Sequence, residues 1–245
     1  MKKILSTAIA TTLAATGLMA TTAAFTTASA EVAFNAGVMS QYIFRGAVQR
    51  DSASLMGGAD YTHDSGLYAG IWAAQVGTEN NTTALFGGPS SSSMGWEVDL
   101  YGGIKKEFSG VALGAGFTSY QYTNKTSSTK AGFDTAYNEL NFSAGYGPFT
   151  ATINPGYHEI VGASDEKFVF SSLKGEYAGF YGILGHWDWD TSTDGDYQQA
   201  GYKTTLGGID LDAFVVNSSK ALNTVGADAF KNGSTTFAMS ATKAF

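Results

Sequence analysis

The chain has 245 residues, with 31 Gly, 3 Pro, no Cys and a formal charge of −7. The absence of Cys excludes disulfide scaffolds, Fe–S clusters and thiol nucleophiles. The acidic balance argues against nucleic-acid binding, which depends on Lys and Arg. Charged residues make up only 14% of the chain and aromatic residues 13%, which argues against intrinsic disorder. The composition therefore predicts one ordered domain, and its Thr, Tyr and Phe content favours strands.

Residues 1–30 have the features of a secretory signal peptide. Two lysines precede an uncharged, mainly apolar run, and Ala28-Ser29-Ala30 supplies an A-x-A cleavage pattern. We predict cleavage after this pattern, which makes 31–245 the exported domain. A retained N-terminal helix is the alternative. No later segment has the ~18 consecutive apolar residues of a membrane helix, which leaves a soluble exported protein or an outer-membrane β-barrel.

Glycines and short polar clusters divide the exported domain into runs that we predict to be twelve strands. They cover 33–45, 53–63, 66–77, 95–107, 110–122, 136–146, 149–157, 167–177, 180–189, 197–206, 209–217 and 234–245. Each run is long enough to cross a bilayer, which takes about 9–11 tilted residues.

The connections between these strands alternate strictly between tight and long. The tight ones lie at 63–66, 107–110, 145–148, 177–179 and 206–209, and the long ones at 46–52, 78–94, 123–135, 158–166, 190–196 and 218–233. Such alternation is typical of transmembrane barrels, which carry short turns on one rim and long loops on the other. The even number of strands places both ends of the domain on the tight-turn side.

Side chains alternate along most of the strands with a period of two, as a half-buried strand requires, whereas 66–77 and 167–177 are ambiguous in phase. In 96–104, for example, Trp96 and Leu100 share one face, and Glu97 and Asp99 share the other. The polar faces are too hydrophilic for a packed core, so we expect the apolar faces to contact lipid. Because an open sheet edge in lipid would leave backbone groups unpaired, the predicted fold is an all-β, transmembrane, antiparallel up-and-down barrel of about twelve strands.

The polar faces of these strands assign a set of side chains to the lumen. They are Arg45, Asp60, Glu97, Asp99, Lys105, Glu139, His186, Asp188, Lys203, Asp210 and Asp212. Acids outnumber bases, so a water-filled lumen of this composition favours cations. A plugged barrel with internally paired charges is the alternative. For Arg45 the alternatives are contact with a solute or a lumen acid, and a rim position paired with Asp51 or with lipid head groups.

Two further features have a specific chemistry. Asp188, Asp190, Asp194 and Asp196 cluster near one predicted loop, where they are a candidate for a divalent cation, although a solvated acidic turn is the expected state and we predict no metal site. The chain ends in Phe245, and outer-membrane barrels commonly end in an aromatic residue that the barrel-assembly machinery recognises. Neither the histidines nor any glycine-rich loop suggests a catalytic or cofactor site, so we expect no enzyme activity and no cofactor.

Three segments resemble a known family. Ser40–Gly46 fits the pattern S-x-Y-x-F-R-G, Asp60–Trp72 resembles the next two strands of the family, and Glu97–Gly103 fits E-x-D-x-Y-x-G. These motifs are similar to those of the TorF-type porin family of proteobacterial outer-membrane proteins. The resemblance covers the first third of the exported domain well, and Ala47–Asp51 departs from the family pattern. It implies an outer-membrane barrel with a porin function.

Two functions remain open from the sequence. The first is passive diffusion of small solutes or ions through an acidic lumen, which twelve strands would keep narrow because barrel diameter grows with strand number. The second is a non-conducting barrel that acts as a surface adhesin, receptor or structural protein through loops 78–94, 123–135 and 218–233. Either protein has outer-membrane lipid and the assembly machinery as partners, and no nucleic acid.

Overall fold

The chain forms a closed β-barrel in the computed structural model, which describes residues 30–77, 95–123, 135–160, 163–222 and 234–245. The strands are β1 (Ala30–Met39), β2 (Tyr42–Phe44), β3 (Ala47–Arg50), β4 (Ser54–His63), β5 (Leu67–Val76), β6 (Gly95–Phe108), β7 (Val111–Tyr122), β8 (Tyr137–Tyr146), β9 (Phe149–His158), β10 (Glu166–Tyr177), β11 (Phe180–Trp189), β12 (Gly195–Leu206), β13 (Ile209–Ser218) and β14 (Ser234–Ala244). No helix within these ranges is long and apolar enough to cross a membrane.

Twelve of these strands form the barrel wall, and all neighbours in the wall are antiparallel. Each wall strand pairs with its neighbour in sequence, and β1 closes the barrel against β14, with Asn35 opposite Ala244. The amide of Phe245 extends this seam by donating to the carbonyl of Phe34 at 2.9 Å. The predicted twelve-stranded antiparallel barrel is therefore confirmed. The signal peptide prediction falls largely on residues 1–29, which lie outside the described residues, and it stays a prediction.

The outer wall is apolar in the pattern that the alternation predicts. Outward-facing side chains such as Phe34, Leu100, Phe142 and Leu184 are about half exposed. Near the tight turns they give way to a band of exposed aromatic rings, namely Phe108, Tyr146, Phe149, Tyr177, Phe180 and Phe245. Aromatic girdles of this kind lie at membrane interfaces, so the outer surface matches a bilayer rather than water.

The rim that carries the five tight turns is here named the tight-turn rim, and the opposite one the loop rim. The tight turns require residues with a left-handed backbone conformation, and position 66 shows why such a residue can have to be glycine. Its φ is +88°, and a Cβ at this position would lie 2.0 Å from the carbonyl oxygen of Lys105. The same backbone is held by the Lys105 amide, which donates to the carbonyl of Gly66 at 2.9 Å.

A Gly66→Ala substitution is therefore expected to lower the free energy of unfolding by about 2–4 kcal/mol, from left-handed strain plus a backbone clash. Gly147→Ala is the matched control, because its φ is +56° but nothing lies within 4 Å of the added Cβ. It should lose only about 1 kcal/mol, from the strain alone. Urea unfolding of the refolded barrels measures both, and equal losses would show that the contact with Lys105 is unimportant.

The first strand ends earlier than the sequence predicts. It was expected to run over 33–45, with an external loop at 46–52, but β1 ends at Met39. The hydroxyl of Ser40 accepts a hydrogen bond from the amide of Met239 at 3.0 Å, and the chain then leaves the wall. The next residues form the separate two-stranded sheet β2–β3, whose side chains are mostly buried. This hairpin folds into the lumen at the loop rim instead of extending away from the barrel.

Candidate functional site

The turn of the β2–β3 hairpin is formed by Arg45 and Gly46. Both have positive φ, at +46° and +84°, as a two-residue type I′ turn requires. Gly46 also lies against the wall, since a Cβ there would be 2.6 Å from the Cβ of Tyr197. A larger residue at position 46 would therefore push the hairpin away from β12.

The side chain of Arg45 forms a buried ion pair with Glu139 on β8. Its Nη1 donates to Oε2 at 2.8 Å and its Nη2 donates to Oε1 at 2.6 Å, a bidentate geometry. Oε1 of Glu139 also accepts hydrogen bonds from Tyr120, Asn141 and Asn154. Because the arginine side chain is 5% exposed and the glutamate 0%, each charge depends on the other for compensation.

Aromatic rings surround the guanidinium group of Arg45. Its Cζ lies 4.1 Å from the ring centre of Phe170, 4.8 Å from that of Phe44 and 5.3 Å from that of Trp187. Such distances allow cation–π attraction. Trp187 also donates from Nε1 to the Arg45 carbonyl at 3.1 Å, and Ser218 donates to the Gly46 carbonyl at 2.7 Å. The wall thus binds both the side chain and the backbone of the turn.

The base of the hairpin is bound to acids on β6. Tyr42 donates from its hydroxyl to Oε1 of Glu97 at 2.5 Å. Asp99 lies two residues further on the same face, and Glu97 and Asp99 are each 1% exposed. Oδ1 of Asp99 has no hydrogen-bond partner in the part of the chain that the structure describes. The loop-rim half of the lumen is thus filled, and it holds more acids than bases.

The tight-turn half of the lumen contains polar clusters that the hairpin does not reach. On one side Asp60 accepts hydrogen bonds from Tyr101 and, at 3.2 Å, from Asn35. Nearby, Nζ of Lys105 lies 5.0 Å from the ring centre of Tyr68. Several of these side chains keep partial exposure, so this half is polar and only partly closed.

The opposite side of the same half has a second cluster. Asp212 accepts from the Tyr181 hydroxyl at 3.0 Å and lies 4.0 Å from Nζ of Lys203. The ring of Tyr181 has Nζ of Lys203 at 5.0 Å and Nζ of Lys174 at 5.4 Å, and Lys174 in turn pairs with Glu176. This part of the wall therefore contains both acidic and basic side chains. It lacks the clear excess of acids found near the hairpin.

Most residues assigned to the lumen from the sequence do face inward, but they form separate groups. Arg45, Glu97, Asp99 and Glu139 lie around the hairpin. The tight-turn half contains the others that face inward, namely Asp60, Lys105, Lys203, Asp210 and Asp212. Arg45 pairs with Glu139 across the lumen rather than with Asp51 at the rim.

The placement of His186 and Asp188 in the lumen was wrong. Both are exposed on the outer face of β11, where His186 contacts Asp196 at 2.8 Å. The inward face of this strand instead carries Tyr181 and Trp187, which are 6% exposed. Aromatic side chains occur on both faces of β11. The inward face was assigned from its polar residues alone, and that assignment was wrong. The lumen near the hairpin is lined with aromatic rings, and the more aromatic face turns inward to join them.

The four aspartates considered for a cation do not converge. Oδ1 of Asp190 accepts from the Lys167 amide at 3.0 Å, Oδ1 of Asp194 accepts from the Trp189 amide at 3.0 Å, and Asp196 contacts His186. Among the described residues, no group of three or more His, Asp or Glu side chains could hold a metal ion. Two of the four carboxylates thus fix backbone near the β11–β12 connection, as in an ordinary polar turn.

Several residues of the site were missed from the sequence, namely Tyr42, Phe170, Lys174 and Trp187. The signal that could have found the hairpin is the Arg45-Gly46 dipeptide, because a glycine in a short turn between two β-type runs suggests a hairpin. Phe170 lies on a strand whose inward face was not assigned from the sequence.

The fold and its apolar belt define a transmembrane-type β-barrel with a lumen hairpin. A family model described as "Bacterial protein of unknown function (Gcw_chp)" matches residues 23–186, and the chain belongs to this family. The matched segment includes the whole hairpin and its partners Glu97 and Glu139. No curated protein matches the chain.

Solved structures of other proteins are similar to this chain. The structure described as "Unveiling the Mechanism Behind the in-meso Crystallization of Membrane Proteins" has a TM-score of 0.50 and 10% identity, with 87% of this chain and 83% of that chain covered. The outer membrane protein opdK from Pseudomonas aeruginosa has a TM-score of 0.41 and 13% identity, covering 79% and 58%. OmpT of Vibrio cholerae has a TM-score of 0.39 and 11% identity, covering 91% and 99%. For the first of these structures, at 10% identity, the similarity concerns the fold alone.

Proposed function

We propose that the protein is an outer-membrane channel for small solutes and ions, and that the β2–β3 hairpin closes it in the conformation described above. The observation that supports this proposal is that ionisable side chains line the lumen wall along its length. Ionisable side chains continue from Glu97 and Glu139 near the hairpin to Asp60, Lys105 and Lys203 in the tight-turn half. A barrel that serves only as an anchor could fill its lumen with apolar residues, whereas a solute path needs polar ones.

The resemblance to TorF-type porins supports the same function. Two of the segments that carry it meet inside the lumen, because Tyr42 of the S-x-Y-x-F-R-G segment donates to Glu97 of the E-x-D-x-Y-x-G segment. The pattern therefore describes a hairpin and its binding partner on the wall. In the orientation usual for outer-membrane barrels the loop rim is external, so the hairpin would close the outer mouth.

We expect the open channel to prefer cations because of Glu97 and Asp99. To measure this, residues 41–52 are replaced by Asn-Gly, and the resulting hairpin-replaced barrel exposes both acids to the lumen. In that background, Glu97→Gln with Asp99→Asn should reduce the cation-to-anion permeability ratio by roughly twofold. The reversal potential across a planar bilayer under a KCl gradient gives this ratio.

Asp188→Asn is the control for this measurement, because it removes a carboxylate that the structure places on the outer face. It should leave the reversal potential unchanged. A shift from Asp188→Asn together with none from the double substitution would reverse the assignment of the two faces.

A second candidate is a non-conducting barrel that acts as an adhesin, receptor or structural protein. It is favoured by the packed aromatic cluster around the hairpin, in which Tyr42, Phe170 and Tyr197 are each 2% exposed. Planar-bilayer recording separates the two candidates. If the hairpin-replaced barrel is folded but shows no conductance steps, the channel proposal fails and the non-conducting barrel is retained.

We also propose that Phe245 acts as a signal for the assembly machinery. Its ring is 72% exposed on the outer wall, while its backbone pairs with Phe34. Phe245→Ala should lower the amount of barrel assembled in cells severalfold, yet leave spontaneous refolding into detergent unchanged, since the backbone bonds remain. Phe237→Ala, which removes another exposed ring of the same strand, is the control. Equal losses for the two variants in cells would contradict a specific role for the terminal residue.

A further inference from the structure

The wall around Arg45 has the components of a binding site for an organic cation. The carboxylate of Glu139 receives both terminal nitrogens of the guanidinium group. The ring of Phe170 lies 4.1 Å from Cζ, and the ring of Trp187 lies 5.3 Å from it. These three residues lie on wall strands β8, β10 and β11, so the wall contributes them independently of the hairpin.

With Arg45 in place, one nitrogen of its guanidinium group and two oxygens of the wall have no hydrogen bond in the part of the chain that the structure describes. Within the described residues, Nε of Arg45 has no hydrogen-bond partner, and neither do Oδ1 of Asp99 and Oδ1 of Asn154. Asp99 is 1% exposed and Asn154 is 6% exposed, so both unused acceptors are buried. Buried acceptors without a partner are costly. Asn154 donates from Nδ2 to Oε1 of Glu139 at 3.2 Å, so its unused oxygen borders the site, and a cation that is free to adjust its position could bond to it where the tethered guanidinium does not.

We infer that this wall site, formed by Glu139, Phe170 and Trp187, binds solutes that carry a guanidinium group, and that Arg45 is a tethered occupant which such a solute replaces. The inference rests on the proposed function, since it names a solute class for the same lumen. The hairpin then acts as an internal competitor, and a guanidinium solute that reaches the site favours its release.

The chemistry of the site favours guanidinium over other cations. A planar guanidinium can form two parallel hydrogen bonds to one carboxylate and can also stack on an aromatic face, which an ammonium or a metal ion cannot do. The single carboxylate of Glu139 and the flanking rings match that shape. By contrast, the described residues contain no group of three or more acids and histidines that could hold a metal ion.

The test uses the Arg45→Ala barrel, refolded in detergent and titrated with methylguanidinium at concentrations far below those that denature proteins. Isothermal titration calorimetry should show saturable binding that is at least about tenfold tighter than to the wild-type barrel, where Arg45 fills the site. Tetramethylammonium, which cannot donate hydrogen bonds, should bind about tenfold more weakly than methylguanidinium. Heat-modifiable gel mobility confirms that each sample is folded.

Two controls make the result specific. Adding Glu139→Gln to Arg45→Ala should abolish binding, while adding Asp188→Asn on the outer face should leave it unchanged. If Arg45→Ala does not fold, the hairpin-replaced barrel exposes the same wall and takes its place. Absence of saturable binding to a folded barrel, or binding that survives Glu139→Gln, would overturn the inference.

The binding test and the channel test can fail separately. Binding is measured in detergent and conductance in a bilayer, so the two results are independent. A barrel that binds methylguanidinium but never conducts would contradict the proposed function. If a hairpin-replaced barrel conducts but does not bind methylguanidinium, the channel proposal is retained. The inference that guanidinium solutes are its specific class is then rejected.

Discussion

Replacing residues 41–52 by Asn-Gly is expected to convert a silent barrel into one with resolved conductance steps in a planar bilayer. The wild-type hairpin occupies the loop-rim half of the lumen and buries Glu97 and Glu139. Without it, the surrounding wall side chains would border water. The steps should be small, because a barrel of twelve strands encloses a narrow lumen.

The register of the wall makes this replacement feasible. Met39 of β1 lies directly opposite Ser54 of β4, so Ser40 and Ala53 can be joined by a two-residue turn. Asn-Gly is the preferred sequence for such a turn, since both residues tolerate positive φ. The twelve wall strands and their seam are left intact.

Deletion of ten residues within 78–94, which the sequence predicts to be a loop, serves as the control, because it shortens the chain by the same length and leaves residues 41–52 unchanged. This control should conduct no more than the wild-type barrel. If it opens as often as the hairpin-replaced barrel, then general loop loss and not the hairpin governs conductance. Heat-modifiable mobility shows whether each protein is folded before its recording is interpreted.

The second large effect concerns the ion pair between Arg45 and Glu139. Arg45→Gln should lower the free energy of unfolding by about 3–5 kcal/mol, because it leaves the buried charge of Glu139 without a cation. Glu139→Gln should lower the free energy of unfolding by a similar amount, because it leaves the buried charge of Arg45 without an anion. The double variant, with two neutral side chains, should lose clearly less than the sum of the two single losses.

Urea unfolding of barrels refolded in lipid vesicles measures these four free energies. The exposed pair between His186 and Asp196 provides the control, since its side chains are 46% and 73% exposed. His186→Gln should cost less than about 1 kcal/mol, as exposed ion pairs do. Additive losses for Arg45 and Glu139 would contradict a direct pair between them.

Strand positions could be predicted because their signals are local. Gly66 and Gly147 end strands through turns that need positive φ, and the alternation around Glu97 and Asp99 assigns their face directly. These features depend on a few neighbouring residues each. The predicted boundaries of most wall strands accordingly agree with the structure to within about two residues.

The Arg45-Gly46 dipeptide suggests a hairpin turn, but the position of the hairpin inside the lumen could not be predicted in the same way. Residues 33–45 form one continuous strand-like run, and nothing local shows that the chain leaves the wall after Met39. The partner that holds the hairpin, Glu139, is 94 residues away from Arg45 in sequence. Similarly, His186 looked like a lumen residue only because polarity was expected inside, whereas aromatic rings around the hairpin fill that part of the lumen.

Thiol labelling shows whether the hairpin closes the loop-rim half of the lumen. The chain has no cysteine, so a single Ser218→Cys places one thiol where the wall contacts the hairpin turn. A Ser172→Cys variant places another in the tight-turn half of the lumen, next to Thr152. With the hairpin intact, a small water-soluble thiol reagent should label Ser172→Cys much faster than Ser218→Cys, and replacing the hairpin should remove that difference. Equally fast labelling of the two variants with the hairpin intact would contradict a closed lumen.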